Sequence, residues 1–66
     1  MARGTVKWFS DQRGYGFIAS EDQANVFVHF SAIEGNQFRT LHEGELVEFE
    51  LRQSERGLEA AHVVKL

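Results

Sequence analysis

Side chains alternate between polar and apolar along most of this chain, and this alternation constrains the fold more than any other feature. A period of two residues is typical of β-strands, in which successive side chains point to opposite faces. Strand-like runs occur at residues 6–9, 15–20, 26–30, 46–51 and 58–66. Turn-forming residues separate the runs, and a hairpin turn is predicted at 55–57, where Gly57 suits a positive φ. The sequence therefore predicts an all-β fold.

Two segments interrupt the strand pattern. Residues 31–34 have the spacing of a capping box, but Gly35 follows at once, so this segment supports one short helical turn. Residues 35–45 form a long irregular connection that contains Phe38. Five strands without a long helix favour a closed barrel, because closure removes exposed sheet edges. The hairpins and the long connection fit a five-stranded antiparallel OB-fold β-barrel, formed by a single domain of residues 1–66.

Length and composition limit the other properties of the chain. Its 66 residues leave room for one domain, and the stability expected at this size is roughly 3–5 kcal/mol. The sequence has no cysteine, which excludes disulfides and thiolate metal sites. No apolar run approaches the roughly 18 residues of a membrane span, and the N-terminus does not have the pattern of a signal peptide. We therefore expect a soluble, cytoplasmic monomer that does not associate with membranes.

The net charge of −3 argues at first against a nucleic-acid partner, because proteins that bind phosphates are usually basic. The charges are unevenly distributed, however. Residues 1–33 carry three basic and three acidic side chains, whereas residues 34–66 carry four basic and seven acidic ones. The acidic excess thus lies outside the aromatic-rich first half. This distribution permits a nucleic-acid surface there without arguing for one.

Alternation along the second and third predicted strands separates aromatic from aliphatic side chains. One face is expected to present Tyr15, Phe17, Phe27 and His29. The opposite face is expected to present Ile18, Val26 and Val28. The aliphatic set suits a core, so the aromatic set is predicted to form an outer patch, which requires a function. Flat rings of this kind are stacking platforms for bases, worth about 1–3 kcal/mol per base.

The alternative is that the two faces are inverted and the aromatic rings form the core. Inversion would expose Val26 and Val28, and it would bury His29 among phenylalanine rings with no evident partner. With the rings outside, Val26 and Val28 lie in the core and His29 lies on the surface, where its polar atoms can be solvated. Gly14 and Gly16 then keep the inner side of the second strand thin.

Basic side chains lie among the predicted outer rings. Lys7 is expected to share the outer face with Phe9, and Arg13 precedes the strand that carries Tyr15. Both cations can reach phosphates while bases stack on the rings. Trp8 is ambiguous, because alternation places it inside unless a bulge turns it outward.

The motifs of the first half resemble those of a known family. The paired RNA-binding motifs of the cold shock domain are similar to RGYGFI at residues 13–18 and VFVHF at residues 26–30, in order and in spacing. The first strand of that family is similar to GTVKWF at residues 4–9, and its third-strand exit to VHFSAI at residues 28–33. Cold shock domains are small modules that recognise single-stranded RNA. The resemblance covers the whole chain and implies the same five-stranded OB-fold.

The resemblance also implies a function and a set of contact residues. Members of the cold shock domain family bind pyrimidine-rich single-stranded RNA and DNA and act as RNA chaperones in the cold shock response. Carried over position by position, the contact residues are Lys7, Trp8, Arg13, Tyr15, Phe17, Phe27, His29, Phe30, Phe38 and Arg56. The resemblance favours an exposed Trp8. It also places Phe30 on the binding surface, although alternation points that residue inward.

Some positions depart from the family pattern. The family often has an acidic residue at the position of Asn25, a lysine at Arg13, and Pro-Gln at Leu58 and Glu59. Arg13 keeps the positive charge and adds a planar stacking surface. Glu59 places a negative charge beside the expected binding edge. The chain also contains no proline.

Other classes of function fit the sequence less well. The glycine pattern at residues 14–19 formally matches the dinucleotide fingerprint, but that motif requires a strand-to-helix junction in a βαβ unit. His29, His42 and His62 lie in different segments, so neither a metal site nor an enzyme with a cofactor or a small-molecule substrate is predicted. A protein-interaction module remains the main alternative, because small barrels with exposed aromatic residues also bind proline-rich peptides.

Overall fold

The computed structural model describes residues 1–22, 24–35 and 40–66. These residues form five β-strands and one 3₁₀ turn, Phe30–Ala32. The strands are β1 (Ala2–Ser10), β2 (Tyr15–Ser20), β3 (Asn25–His29), β4 (Leu46–Ser54) and β5 (Gly57–Lys65). They close into a barrel in the order β1-β2-β3-β5-β4. The predicted five-stranded OB-type barrel is confirmed. Most neighbouring strands are antiparallel, whereas β3 and β5 meet in parallel.

The barrel interior is filled by aliphatic side chains and one phenylalanine. The largest of the fully buried residues are Phe49, Ile18, Val6, Val26, Val28, Val47 and Val63. Every strand contributes to this set, and the contributing positions alternate with exposed or half-buried ones in β2 and β3. The inward assignment of Ile18, Val26 and Val28, each with an exposed fraction of 0%, is therefore confirmed.

The strands differ in extent from the runs of alternation in the sequence. β1 begins at Ala2 rather than at residue 6, because its first half pairs with β4, from Ala2 opposite Phe49 to Thr5 opposite Leu46. β3 ends at His29 rather than at residue 30, since Phe30 begins the 3₁₀ turn. The predicted hairpin turn at 55–57 is present, and Gly57 has a φ of +110°.

A bulge in β1 decides the orientation of its second half. Val6 pairs with Ile18 and Trp8 pairs with Phe17, so Lys7 is an extra residue in β1. Such a bulge reverses the alternation beyond it. Lys7 and Trp8 are both exposed, and Phe9 packs against the core. The expectation that Phe9 shares the outer face with Lys7 is therefore wrong, while the bulge that turns Trp8 outward is confirmed.

Gly16 allows β1 and β2 to approach each other closely behind this bulge. A Cβ added at Gly16 would lie 2.2 Å from the carbonyl oxygen of Trp8 and 2.7 Å from the Cα of Phe9. No side chain fits at that separation. The prediction that glycine keeps the inner side of β2 thin is borne out at this position. Among the described residues, no helix has the length and hydrophobicity to cross a membrane.

Candidate functional site

Four aromatic side chains form a continuous surface on the outside of β1, β2 and β3. The ring centroids of Trp8 and Tyr15 lie 5.8 Å apart, and those of Trp8 and Phe17 lie 5.7 Å apart. Phe27 lies 5.7 Å from Tyr15 and 5.8 Å from Phe17. We call these four residues the aromatic platform. Each ring contacts two others, at the separations at which aromatic pairs attract.

The register of the strands produces the platform. Phe17 lies opposite Phe27 across the β2–β3 pair, and Trp8 lies opposite Phe17 across the β1–β2 pair. Side chains opposite one another on neighbouring strands point to the same face. The bulge at Lys7 is needed for this arrangement, because without it the alternation of β1 would point Trp8 into the barrel.

A second pair of rings lies at the end of β3. His29, which is opposite Tyr15 in the register, has its ring centroid 4.6 Å from that of Phe30. Phe30 is 43% exposed, as the family resemblance implied and as alternation alone did not. Gly14 makes room for it, since a Cβ at Gly14 would lie 2.9 Å from Cδ1 of Phe30. The backbone N–H of Phe30 donates to the carbonyl of Gly14 at 2.8 Å.

The imidazole of His29 is held in one orientation by the 3₁₀ turn. Its Nδ1 accepts a hydrogen bond from the backbone N–H of Ser31 at 3.3 Å, and the Ser31 hydroxyl lies 2.8 Å from the same nitrogen. Because Nδ1 is an acceptor, the proton of the neutral ring lies on Nε2. His29 can therefore donate a hydrogen bond from Nε2 to a ligand.

Basic side chains border the platform. The ammonium of Lys7 donates to Oδ1 of Asn25 at 3.1 Å, and the guanidinium of Arg13 donates to the Tyr15 hydroxyl at 3.3 Å. The guanidinium carbon of Arg56 lies 5.2 Å from the centroid of the Phe27 ring, within the range of a cation–π contact. All three basic residues are exposed. The arrangement offers positive charge at the edges of an aromatic surface.

One acidic side chain lies at the β5 edge of the platform. Glu59 is opposite Phe27 where β3 and β5 meet, and its Oε1 accepts a hydrogen bond from the Ser54 hydroxyl at 3.1 Å. The sequence predicted a negative charge beside the expected binding edge, and the register makes Glu59 the partner of Phe27.

The structure brings together nearly all of the residues predicted for the site. Phe38 lies outside the described residues, and the other predicted site residues lie on one connected surface: Lys7, Trp8, Arg13, Tyr15, Phe17, Phe27, His29, Phe30 and Arg56. Sequence reasoning did not identify the partners of these residues. Asn25 shares the odd-numbered face of β3 and could have been found by alternation, but nothing in the sequence indicated the bond between Ser31 and His29.

The chemistry available on this surface is stacking and hydrogen bonding. Within the described ranges, no three histidine, aspartate or glutamate side chains lie close enough together to hold a metal ion. The rings, guanidinium groups and ammonium group can bind flat, anionic partners.

Three comparisons with known proteins agree with this geometry. The family described as "'Cold-shock' DNA-binding domain" matches residues 2–66. The chain is 61% identical to the major cold shock protein of Micrococcus luteus and 58% identical to cold shock protein CspB of Bacillus caldolyticus, with all of each chain covered. A solved structure described as Drosophila Unr CSD456 is similar with a TM-score of 0.79 and 27% identity. That similarity covers 98% of this chain and 26% of the Drosophila chain.

Proposed function

Because this chain belongs to the cold shock domain family, we propose that it binds single-stranded nucleic acid by stacking bases on the aromatic platform, His29 and Phe30. The observation that carries the proposal is the orientation of the rings. They lie outside a barrel whose interior is already filled by aliphatic side chains and Phe49. A small domain gains little by exposing a connected aromatic surface unless a ligand covers it.

Stacking accounts for the larger part of the expected affinity. At about 1–2 kcal/mol for each of about five stacked bases, the total is roughly 5–10 kcal/mol, which corresponds to micromolar to sub-micromolar binding. The interaction tolerates many sequences, because every base has a flat face. Lys7, Arg13 and Arg56 add contacts to phosphates or base edges.

The proposed contact residues are those that the family resemblance implied. They are Lys7, Trp8, Arg13, Tyr15, Phe17, Phe27, His29, Phe30, Phe38 and Arg56. Phe38 is included on the resemblance alone. The remaining residues are supported by their position on one surface, described above.

The biological role we propose is that of an RNA chaperone in the cold shock response, acting as a cytoplasmic monomer on pyrimidine-rich strands. Trapping of unpaired segments shifts RNA from paired to unpaired forms by mass action. No nucleotide hydrolysis is required for this effect. The similarity to proteins named for cold shock supports the role.

A fluorescence titration tests the binding proposal. Trp8 is the only tryptophan and is 43% exposed on the platform, so a base stacked on it should quench its emission. We expect saturable quenching with oligo-dT, weaker binding of oligo-dA, and no response to a polyproline peptide of similar length. Quenching by the peptide and not by oligo-dT would assign the surface to protein recognition instead.

A further inference from the structure

Glu59 lies beside Phe27 on the outer side of the barrel. The two residues are opposite each other in the parallel contact between β3 and β5, so their side chains point to the same side of the sheet. Ala60, the next residue of β5, is buried with an exposed fraction of 2%, which confirms that Glu59 points outward. Glu59 itself is half-buried.

Glu59 takes part in none of the ion pairs found among the described residues. Arg52 lies opposite it across the β4–β5 pair, but the Arg52 guanidinium pairs with Glu50. The Ser54 hydroxyl donates to Oε1 at 3.1 Å, which fixes the carboxylate at the end of the β4–β5 hairpin. Those ion pairs involve Glu34, Glu45, Glu48 and Glu50. The nearby Arg56 lies over the Phe27 ring instead. A carboxylate accepts several hydrogen bonds, so the Glu59 carboxylate can accept a further hydrogen bond from a ligand.

We propose that Glu59 selects the base bound at Phe27 by accepting a hydrogen bond from an exocyclic amino group, so that this position prefers cytosine to uracil. At C4 cytosine presents its N4 amino group, a donor that a carboxylate accepts, whereas uracil presents O4, which repels a carboxylate. The N3–H of uracil is also a donor, so the preference for cytosine requires that the carboxylate meets the substituent at C4 and not N3. The inference rests on the proposed function, because it assumes that a base stacks on Phe27.

Arg56 does not provide the same selection. Its guanidinium lies over the Phe27 ring, so a base that stacks there must displace it, and the phosphate is the charged acceptor that attracts a guanidinium most strongly. Phosphate oxygens are present with both pyrimidines, so a donor placed there cannot tell them apart. Discrimination between cytosine and uracil is therefore assigned to Glu59.

The test compares two RNA hexamers and two variants. Dissociation constants for hexacytidine and hexauridine are measured by Trp8 fluorescence at one salt concentration, for the parent protein, Glu59→Gln and Glu55→Gln. Glu59→Gln keeps the shape of the side chain but offers a donor as well as an acceptor. We expect it to weaken hexacytidine binding about fivefold and to tighten hexauridine binding slightly. Glu55→Gln removes the same charge from the exposed turn and should shift both ligands by one common factor.

The outcomes separate this inference from the proposed function. A parent protein that binds neither hexamer refutes the proposed function. If both hexamers bind and Glu59→Gln changes their affinities by the same factor, Glu59 acts only as a charge and the inference is wrong. A second measurement needs no variant: hexacytidine should shift the ¹³C resonance of the Glu59 carboxyl group more than hexauridine does. Equal shifts with the two hexamers would also overturn the inference.

Discussion

The inward and outward faces of the β2–β3 hairpin carry different kinds of side chain on the same two strands. The inward residues Ile18, Val26 and Val28 are aliphatic and completely buried. The outward residues Tyr15, Phe17 and Phe27 are aromatic, half-buried and in contact with one another. The core is filled without the outward set. Stability and ligand binding should therefore depend on different residues, although those residues are neighbours in the sequence.

The largest expected effect is the loss of stability when the inward face is truncated. Ile18→Ala should lower the free energy of unfolding by about 2–4 kcal/mol, because it removes fully buried methyl and methylene groups and leaves a cavity. A domain of this size has roughly 3–5 kcal/mol of stability in total, so the variant should be partly unfolded at room temperature. Urea unfolding followed by Trp8 fluorescence measures the change.

Phe17→Ala is the matched control for that experiment, since Phe17 precedes Ile18 in the same strand and points outward. Its truncation should cost clearly less stability than Ile18→Ala, because its ring is only half-buried. If the Phe17 variant proves the less stable of the two, the contrast between the two faces is wrong.

The general fold was predictable because alternation is a strong signal in β2 and β3. There the parity of residues 15–20 and 26–29 gave the correct face for every large side chain. β1 was less predictable, because the bulge at Lys7 depends on its pairing with β2, and pairing is a tertiary property. Phe9 was misplaced for that reason. The early start of β1 at Ala2 likewise depends on β4, which is distant in the sequence.

The second expected effect concerns binding by the outward face. Phe17→Ala and Phe27→Ala should each weaken binding of oligo-dT by about 1–3 kcal/mol, which is the stacking energy of one base. Isothermal titration calorimetry measures the loss for each variant. Val64→Ala is the control, because Val64 is an exposed apolar residue of β5 that does not belong to the platform. Equal losses for all three variants would show that the bases do not bind on the platform.

The salt dependence of binding separates the contribution of the charged side chains on the outward face from that of the rings. With two to three phosphate contacts, the logarithm of the binding constant should fall against the logarithm of salt concentration with a slope of about −1.5 to −2. Lys7→Gln should make the slope shallower by about 0.7, the contribution of one phosphate contact on a single strand, whereas Phe27→Ala should leave it unchanged. A slope near −5 for the parent protein would mean that charges, and not rings, dominate binding.

The candidate site was predictable in its residue types but not in its contacts. Odd-numbered aromatic residues on adjacent strands indicated the platform, and the family resemblance added Trp8, Phe30, Phe38 and Arg56. The sequence could not show that Arg56 covers the Phe27 ring, because that contact joins the β4–β5 turn to β3. It also could not show that Phe30 leaves the strand, which depends on the turn that follows and on the room left by Gly14.

The smallest expected effect arises at Asp22, a polar, exposed residue that follows β2. Two hydrogen bonds lower the pKa of the Asp22 carboxyl below its ordinary value of 3.8. The larger contribution comes from the Ser20 hydroxyl and the smaller one from the backbone N–H of Ala24. The folded state therefore favours the ionised form. The resulting stabilisation is present above about pH 4 and is lost as the pH falls through the folded pKa.

Asp22→Asn should remove this contribution, so the parent protein should be slightly more stable than the variant at pH 7 and the difference should shrink toward about pH 3. The urea midpoints of both proteins at the two pH values measure it. The effect should be much smaller than that of Ile18→Ala, because an exposed, solvated carboxylate gains little from its partners. Oligo-dT binding should not change, since Asp22 is not part of the platform. A difference in stability that grew toward acid pH would contradict the direction of the pKa shift. A difference as large as that of Ile18→Ala would show that the contacts of Asp22, as well as the inward face, maintain the hairpin.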